Sequence, residues 1–239
     1  MQRHDLVHIA NAAWVQPCAD SLPDMAVAKF FALLGQGLPL TVTRQPSCDD
    51  GRICLAMNVL THQGKYRVAC HTPMTNITDI SPPLPVMQAA SLFDAWSAQQ
   101  LGELVSRLQA CGCAVHVYGS YAYQLLTGEP YVTPLSDVDL LFVLDDWRQL
   151  SAVMMQIADF RAVFERRIDG EMSVRLPDVA EVVQFSFNEY LTLTTNPACA
   201  QIIIKSLHDV RLYHAAGLLG LAQDTPPKSS LALSQGETS

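Results

Sequence analysis

Apolar residues alternate with others at Val115 and Val117, stop at Gly119-Ser120, and resume at helical spacing over residues 121–126. Alternation marks a half-buried strand, whereas recurrence every three to four residues marks one face of a helix. A turn-rich insert follows (Thr127-Gly128-Glu129-Pro130-Tyr131-Val132-Thr133-Pro134), and Ser136-Asp137-Val138-Asp139 then runs directly into Leu140-Leu141-Phe142-Val143-Leu144. A strand that is apolar on both faces reads as central and buried. The block therefore predicts strand, Gly-Ser, helix and a second strand, with two acids at the entrance of the second strand.

The same reading extends over the rest of the chain. Before the block it predicts short strands at residues 6–9 and 14–15, a loop over 17–23, and an amphipathic helix over 25–34 stopped by Gly35 and Gly37. Strands follow at 38–44 and 53–59, with a turn at Gln63-Gly64-Lys65 before a strand at 66–70. This is the pattern of a small mixed α/β domain over residues 1–80. Ser81-Pro82-Pro83-Leu84-Pro85 reads as a stiff connector. Beyond it, Leu92, Trp96, Leu101, Leu104, Val105 and Leu108 fall near helical spacing and predict a helix over 86–109, ending at Gly112. After the block, Asp145 or Asp146 can cap a helix over 147–159, and strands are expected at 161–168, 172–176, 182–187 and 201–205. Residues 86–222 form the expected second domain. The tail from Gln223 is polar and Pro-containing, the composition of a disordered segment.

Composition narrows the class. With 49% hydrophobic and 16% charged residues, the chain has the makeup of a packed globular protein. A net charge of −8 argues against a nucleic-acid backbone as partner. No apolar run reaches membrane-spanning length, and the N-terminus lacks the long apolar core of a signal peptide, so neither a membrane nor export is expected. Seven irregularly spaced cysteines fit a reducing cytoplasm better than a disulfide framework. Neither a P-loop nor a Gly-x-Gly-x-x-Gly fingerprint is present.

The acidic pair carries the chemistry. Asp137 and Asp139, at i and i+2 of one strand, project from the same face, repel each other and raise each other's pKa. A divalent cation removes that penalty. Gly119 permits close approach of the backbone, and the helix starting near Ser120 offers free amides to a phosphate, although Ser is also a good plain N-cap. Downstream, Arg161, Arg166, Arg167, Arg175 and Lys205 concentrate positive charge in an acidic chain, and Lys205 is the foremost phosphate-binding candidate among them. His116, on the preceding strand, fits a hydrogen-bonded structural role.

Gly119-Ser120 with Asp137-x-Asp139 resembles the DNA polymerase β-like nucleotidyltransferase superfamily. The block Leu126-Thr127-Gly128-x-x-Tyr131 before Ser136-Asp137-x-Asp139-Leu140-Leu141 narrows the resemblance to the phosphoribosyl-dephospho-CoA transferases of malonate decarboxylase, also called malonate decarboxylase holo-[acyl-carrier-protein] synthases. Arg3-His4-Asp5-Leu6-Val7, Gly37-Leu38-Pro39 with Arg44, and Asp169-Gly170-Glu171 add weaker support.

The resemblance implies a nucleotidyltransferase-like mixed sheet flanked by helices, of α/β (α+β) class. It also implies Mg²⁺ (or Mn²⁺) on Asp137 and Asp139, and a third carboxylate, with Asp169 and Glu171 both open as candidates. Asp169-Gly170 equally fits a two-residue hairpin turn. Gly119, Ser120, Ser136 and Lys205 become the expected substrate-binding residues. The implied donor is 2′-(5″-triphosphoribosyl)-3′-dephospho-CoA, and the implied acceptor is a serine of the acyl-carrier subunit. The residues by themselves also admit a nucleotidyltransferase using ATP or another nucleotide, or a non-catalytic module gripping a carrier protein or nucleotide.

Overall fold

The computed structural model of the chain describes residues 1–18, 22–45, 51–177, 179–195, 201–214 and 218. The expected disordered tail lies outside these residues. Leu6–Ile9 (β1), Gln16–Pro17 (β2), Leu40–Val42 (β3), Arg52–Thr61 (β4), Gly64–Pro73 (β5) and Ile77–Ser81 (β6) pair, among the described residues, in the order β2-β5-β4-β3-β1-β6. Helix α1 (Asp24–Gly35) buries Ala26, Phe30, Leu33 and Leu34, which pack with Ile53, Leu55, Met57 and Val59, the alternate positions of β4. The period-2 and period-3.6 stripes thus meet in one core. The other face of this sheet carries Thr41, Asn58 and Arg67.

A second sheet takes the rest of the chain. Leu84–Pro85 (β7), Cys113–Val117 (β8), Val138–Leu144 (β9), Ile168–Arg175 (β10), Val182–Ser186 (β11), Gln201–Lys205 (β12) and Val210–His214 (β13) run in the order β13-β12-β11-β10-β9-β8-β7. Helices α2 (Ala95–Gln109), α3 (Gly119–Thr127), α4 (Leu150–Val163) and α5 (Phe187–Thr195) accompany them. Among the described strands of this sheet, only β9 and β10 pair in parallel, joined by the α4 crossover. Val138, Leu140, Phe142 and Leu144 face the helices with Met172 and Val174. The opposite face of β9 and β10 presents Asp139, Asp169 and Glu171. The mixed α/β class is the one the hydrophobic pattern predicts.

Several elements depart from the pattern. The expected strand at 14–15 is a 3-10 turn, Ala12–Trp14, because the Asn11 side chain accepts the Ala13 N–H and leaves Trp14 exposed. The helix expected over 86–109 is broken: a 3-10 segment, Val86–Leu92, precedes α2, which starts afresh where Asp94 caps it through the Ser97 N–H. The proline connector is also partly structural, since Leu84 and Pro85 pair with Val117 and His116 at the sheet edge, where a missing N–H is tolerated. Residues 161–163 end α4 rather than open a strand, and Asp169-Gly170 is not a hairpin turn. Gly170 sits inside β10 at φ 146°, where a Cβ would lie 1.8 Å from the Leu140 carbonyl oxygen, so glycine here permits β9 and β10 to close.

The two sheets are tied by the insert. Tyr131 donates to the Asn58 carbonyl and accepts the Leu60 N–H, Tyr123 meets the Thr41 hydroxyl at 3.2 Å, and both tyrosine rings are buried in the N-terminal core. Lys29 on α1 pairs with Glu129.

Candidate active site

The site forms where β8 ends and β9 begins. Tyr118 donates its N–H to the Asp139 carbonyl at 3.0 Å, closing the Gly-Ser turn against the acidic strand. Gly119 has φ +63°, and a Cβ there would lie 1.9 Å from Asp139 Oδ2. Glycine at this position therefore makes room for the Asp139 carboxylate, the local reason for Gly before Ser. Ser120, second residue of α3, accepts a hydrogen bond on its hydroxyl from Lys65 Nζ at 2.9 Å.

Asp139 and Asp169 are register partners on the parallel strands β9 and β10. Paired residues on neighbouring strands share a face, with backbones roughly 4.8 Å apart, so two carboxylates are held side by side. Burial, then the charge of Asp169, then that of Asp137 push the Asp139 carboxyl up to about 6, against the opposing charges of Lys65 and Arg167. No hydrogen bond or ion pair reaches the Asp139 carboxylate among the described residues. Asp169 is fixed through one oxygen, Oδ1, which accepts from Gly170 N–H at 2.8 Å and Asn188 Nδ2 at 2.9 Å. Asp137 accepts from Arg167 Nη2 at 2.6 Å.

Glu171, two residues along β10, is in a different situation. His4 Nε2 lies 2.9 Å from Oε2, Arg3 Nη1 3.4 Å from the same oxygen, and Lys205 Nζ 2.6 Å from Oε1. Burial alone would raise this carboxyl. The hydrogen bond from His4, the charges of Arg3 and His4, and the hydrogen bond from Lys205 outweigh it and hold Glu171 at about 2. The Tyr118 ring lies tilted against His4, centroids 4.4 Å apart, its phenol pushed far up by burial and by Glu171, Asp139 and Asp169.

The structure thus brings Gly119, Ser120, Asp137, Asp139 and Asp169 together. Lys205 is engaged by Glu171, and Ser136 accepts the Thr133 N–H at 2.9 Å, holding the turn before Asp137. His116 donates through Nδ1 to the Pro83 carbonyl at 2.7 Å. Residues that pattern alone did not nominate also reach the site, namely Lys65, Arg67 and Asn188, the first two carried in from the N-terminal sheet. A cleft of about 230 Å³ lies between the sheets, lined on one side by Thr41, Asn58 and Arg67 and on the other by Tyr118, Gly119 and Asp139.

Among the described residues no group of three or more His, Cys, Asp or Glu side chains is gathered as a preformed metal cage. The donor set nevertheless suits a hard divalent cation. Asp139 and Asp169 are adjacent carboxylate oxygens under mutual repulsion, with Asp137 close enough to add to it. No helix among the described residues is long and apolar enough to cross a membrane, and the described cysteines form no disulfide.

Comparison with known proteins places the whole arrangement. Residues 2–83 match the family model of the phosphoribosyl-dephospho-CoA transferase MdcG N-terminal domain, and residues 85–216 that of its C-terminal domain. The chain is 33% identical over 179 residues to a phosphoribosyl-dephospho-CoA transferase of Xanthomonas campestris pv. campestris (strain 8004), covering 74% of this chain and 80% of the relative. It is 30% identical over 218 residues to one of Xanthomonas axonopodis pv. citri (strain 306), covering 90% and 95%. A Pseudomonas aeruginosa phosphoribosyl-dephospho-CoA transferase is 32% identical over 122 residues, 50% of this chain and 57% of the relative. No solved structure matches the chain. With both of the family's domains matched in order and the Gly-Ser turn packed on aligned aspartates, this chain belongs to the MdcG phosphoribosyl-dephospho-CoA transferase family.

Proposed function

We propose that this transferase is a nucleotidyltransferase of the holo-[acyl-carrier-protein] synthase type. It moves phosphoribosyl-dephospho-CoA from 2′-(5″-triphosphoribosyl)-3′-dephospho-CoA onto a serine of the acyl-carrier subunit of malonate decarboxylase, in the cytoplasm. The observation that carries this reading is the register pairing of Asp139 with Asp169 beside Gly119. Two carboxylates side by side, one of them lining the cleft, suit phosphoryl transfer, where catalysis is mostly positioning and charge stabilisation.

The serine oxygen forms a bond to the α-phosphorus as the bond from that phosphorus to the diphosphate oxygen breaks, and diphosphate leaves with the electron pair. Asp169 keeps Oδ2 without a protein partner among the described residues, so this is the oxygen left to ligate an ion, and the serine proton leaves to solvent water. Asn188 fixes the Asp169 carboxylate, and Gly119 fixes the position of Asp139. Asp137, Asp139 and Asp169 would hold Mg²⁺ or Mn²⁺, with Asp137 exchanging its exposed partner Arg167 for the ion. Such an ion, when bound, stabilises negative charge on the transferring phosphoryl group. The amides at the start of α3 receive the departing diphosphate.

The test is diphosphate release with Mg²⁺, the triphosphoribosyl donor and apo carrier subunit, with the carrier's mass followed in the same tubes. Release with a matching mass gain, lost in Asp139→Ala, supports the reading. Turnover with ATP but not with this donor retains the chemistry and discards the donor. Inactivity with every donor overturns the reading in favour of a binding module.

A further inference from the structure

The cleft has two walls, and the proposed chemistry uses only one of them. On the N-terminal wall, Lys65 and Arg67 stand at i and i+2 of β5, hence on one face of that strand. Their antiparallel partners are Leu60 and Asn58, and Ala69 further along pairs with Ala56, which pairs in turn with Thr41. Opposed residues of a sheet share a face, so Thr41, Asn58, Arg67 and Lys65 form one surface. It is the surface that α1 does not cover, and three of these four residues line the cleft facing Gly119 and Asp139. Both cations are exposed, and neither has a carboxylate partner among the described residues; Lys65 spends its ammonium on the Ser120 hydroxyl at 2.9 Å. In an acidic chain, two cations without a carboxylate partner among the described residues, one bonded to Ser120 and the other lining the cleft opposite Gly119, call for an anion.

We propose that the N-terminal domain completes the phosphate site, with Lys65 and Arg67 binding the diphosphate portion of a polyphosphate substrate against Gly119 and Ser120. This rests on the phosphoryl-transfer reading above. The ammonium of Lys65 neutralises charge as a point donor, while the planar Arg67 guanidinium can grip two phosphate oxygens at once. Their charge would then be presented to the bonds that accumulate negative charge as diphosphate departs. The arrangement assigns the N-terminal domain a direct part in donor binding, and Tyr123 and Tyr131 anchor it where that part requires.

The experiment is calorimetric titration of inorganic tripolyphosphate into the full chain, without donor or carrier. Wild type is compared with Lys65→Ala/Arg67→Ala, with Lys65→Arg/Arg67→Lys, and with Arg211→Ala on the exposed strand β13 as a charge control. The double alanine variant is expected to bind about a hundredfold more weakly, roughly tenfold for each lost charge-assisted contact. The charge-conserving variant should stay within about tenfold of wild type, the guanidinium and ammonium being imperfect substitutes for each other, and Arg211→Ala should match wild type. Because both side chains are exposed, the thermal midpoint should hold, and the single variants Lys65→Met and Arg67→Met repeat the test should the double variant unfold. Wild-type affinity in the double alanine variant, or no tripolyphosphate binding by wild type, overturns the proposal. Transfer from the donor by a wild type whose anion affinity ignores Lys65 and Arg67 would sink this inference alone. Tripolyphosphate binding through both cations without any transfer would sink the donor reading and leave this one standing.

Discussion

Asp169 and Glu171 lie two residues apart on one face of one strand, yet their surroundings are opposite. Asp169 is aligned with another carboxylate, and that pairing helps hold Asp139 up at about 6. Glu171 is clasped by Arg3, His4 and Lys205 and is held down at about 2. The first pair is short of positive charge and the second cluster is saturated with it. A saturated, buried cluster fixes structure, here joining the chain's first residues to the second sheet. An under-neutralised pair beside a cleft is what the proposed cation and phosphorylated substrate would require. Proximity in sequence therefore says little about role; the partners decide it.

The largest test of this contrast is catalytic. Asp139→Ala is expected to lower kcat for carrier modification by at least about a thousandfold while leaving the fold intact, measured by mass gain of the carrier and by thermal unfolding. Glu171→Gln should do the converse, costing on the order of 3 kcal/mol of stability by leaving Arg3, Lys205 and His4 facing a neutral group, read from urea unfolding.

Linkage separates the two carboxyls further. Glu171 is lowered from 4.5 to about 2, so its stabilisation is complete above pH 4.5 and is lost as pH falls towards 2, a limb that Glu171→Gln should flatten. Asp139 is raised from 3.8 to about 6, so the native state holds the extra proton between those values. Its contribution to stability falls as pH rises through that window, and Asp139→Asn should remove the slope. If the raised carboxyl were instead satisfied by an unseen protein contact, the asparagine variant would be less stable at pH 7 rather than equal or more stable.

Gly119→Ala comes next. Its Cβ collides with Asp139 Oδ2 at positive φ, and a loss of about a hundredfold in kcat is expected from the displaced carboxylate, with about 1 kcal/mol of strain. Mn²⁺ affinity, followed by electron paramagnetic resonance, should weaken about tenfold per pH unit below 6, because ion and proton compete for Asp139. The smallest effect is expected for Asn188→Ala, about tenfold in kcat/KM through a loosened Asp169; an unchanged kcat/KM would show that the Asp169 carboxylate is held without it.

Much of the fold was legible because period-2 and period-3.6 stripes are local properties of the chain. Residues 53–59 alternate and form β4, and Leu150, Val153, Met154 and Ile157 line the buried face of α4. Misreadings fell where a local polar cap competed with hydrophobic spacing, as Asn11 does before Trp14 and Asp94 does before α2. The edge pairing of Leu84 and Pro85 was masked by prolines that signal a connector.

By itself the sequence determined the alternating strands, the acidic pair and the Gly-Ser turn, since each is written within a few neighbouring residues. It left Asp169 and Glu171 interchangeable and gave Lys65 no role, because their partners lie far away in the chain. Only the tertiary structure decided their surroundings, by aligning Asp169 with Asp139 across parallel strands, folding Arg3 and His4 onto Glu171, and bringing Lys65 to Ser120. Register and domain docking depend on the burial of whole faces, here Tyr123 and Tyr131 in the N-terminal core, and no single stretch of residues encodes them.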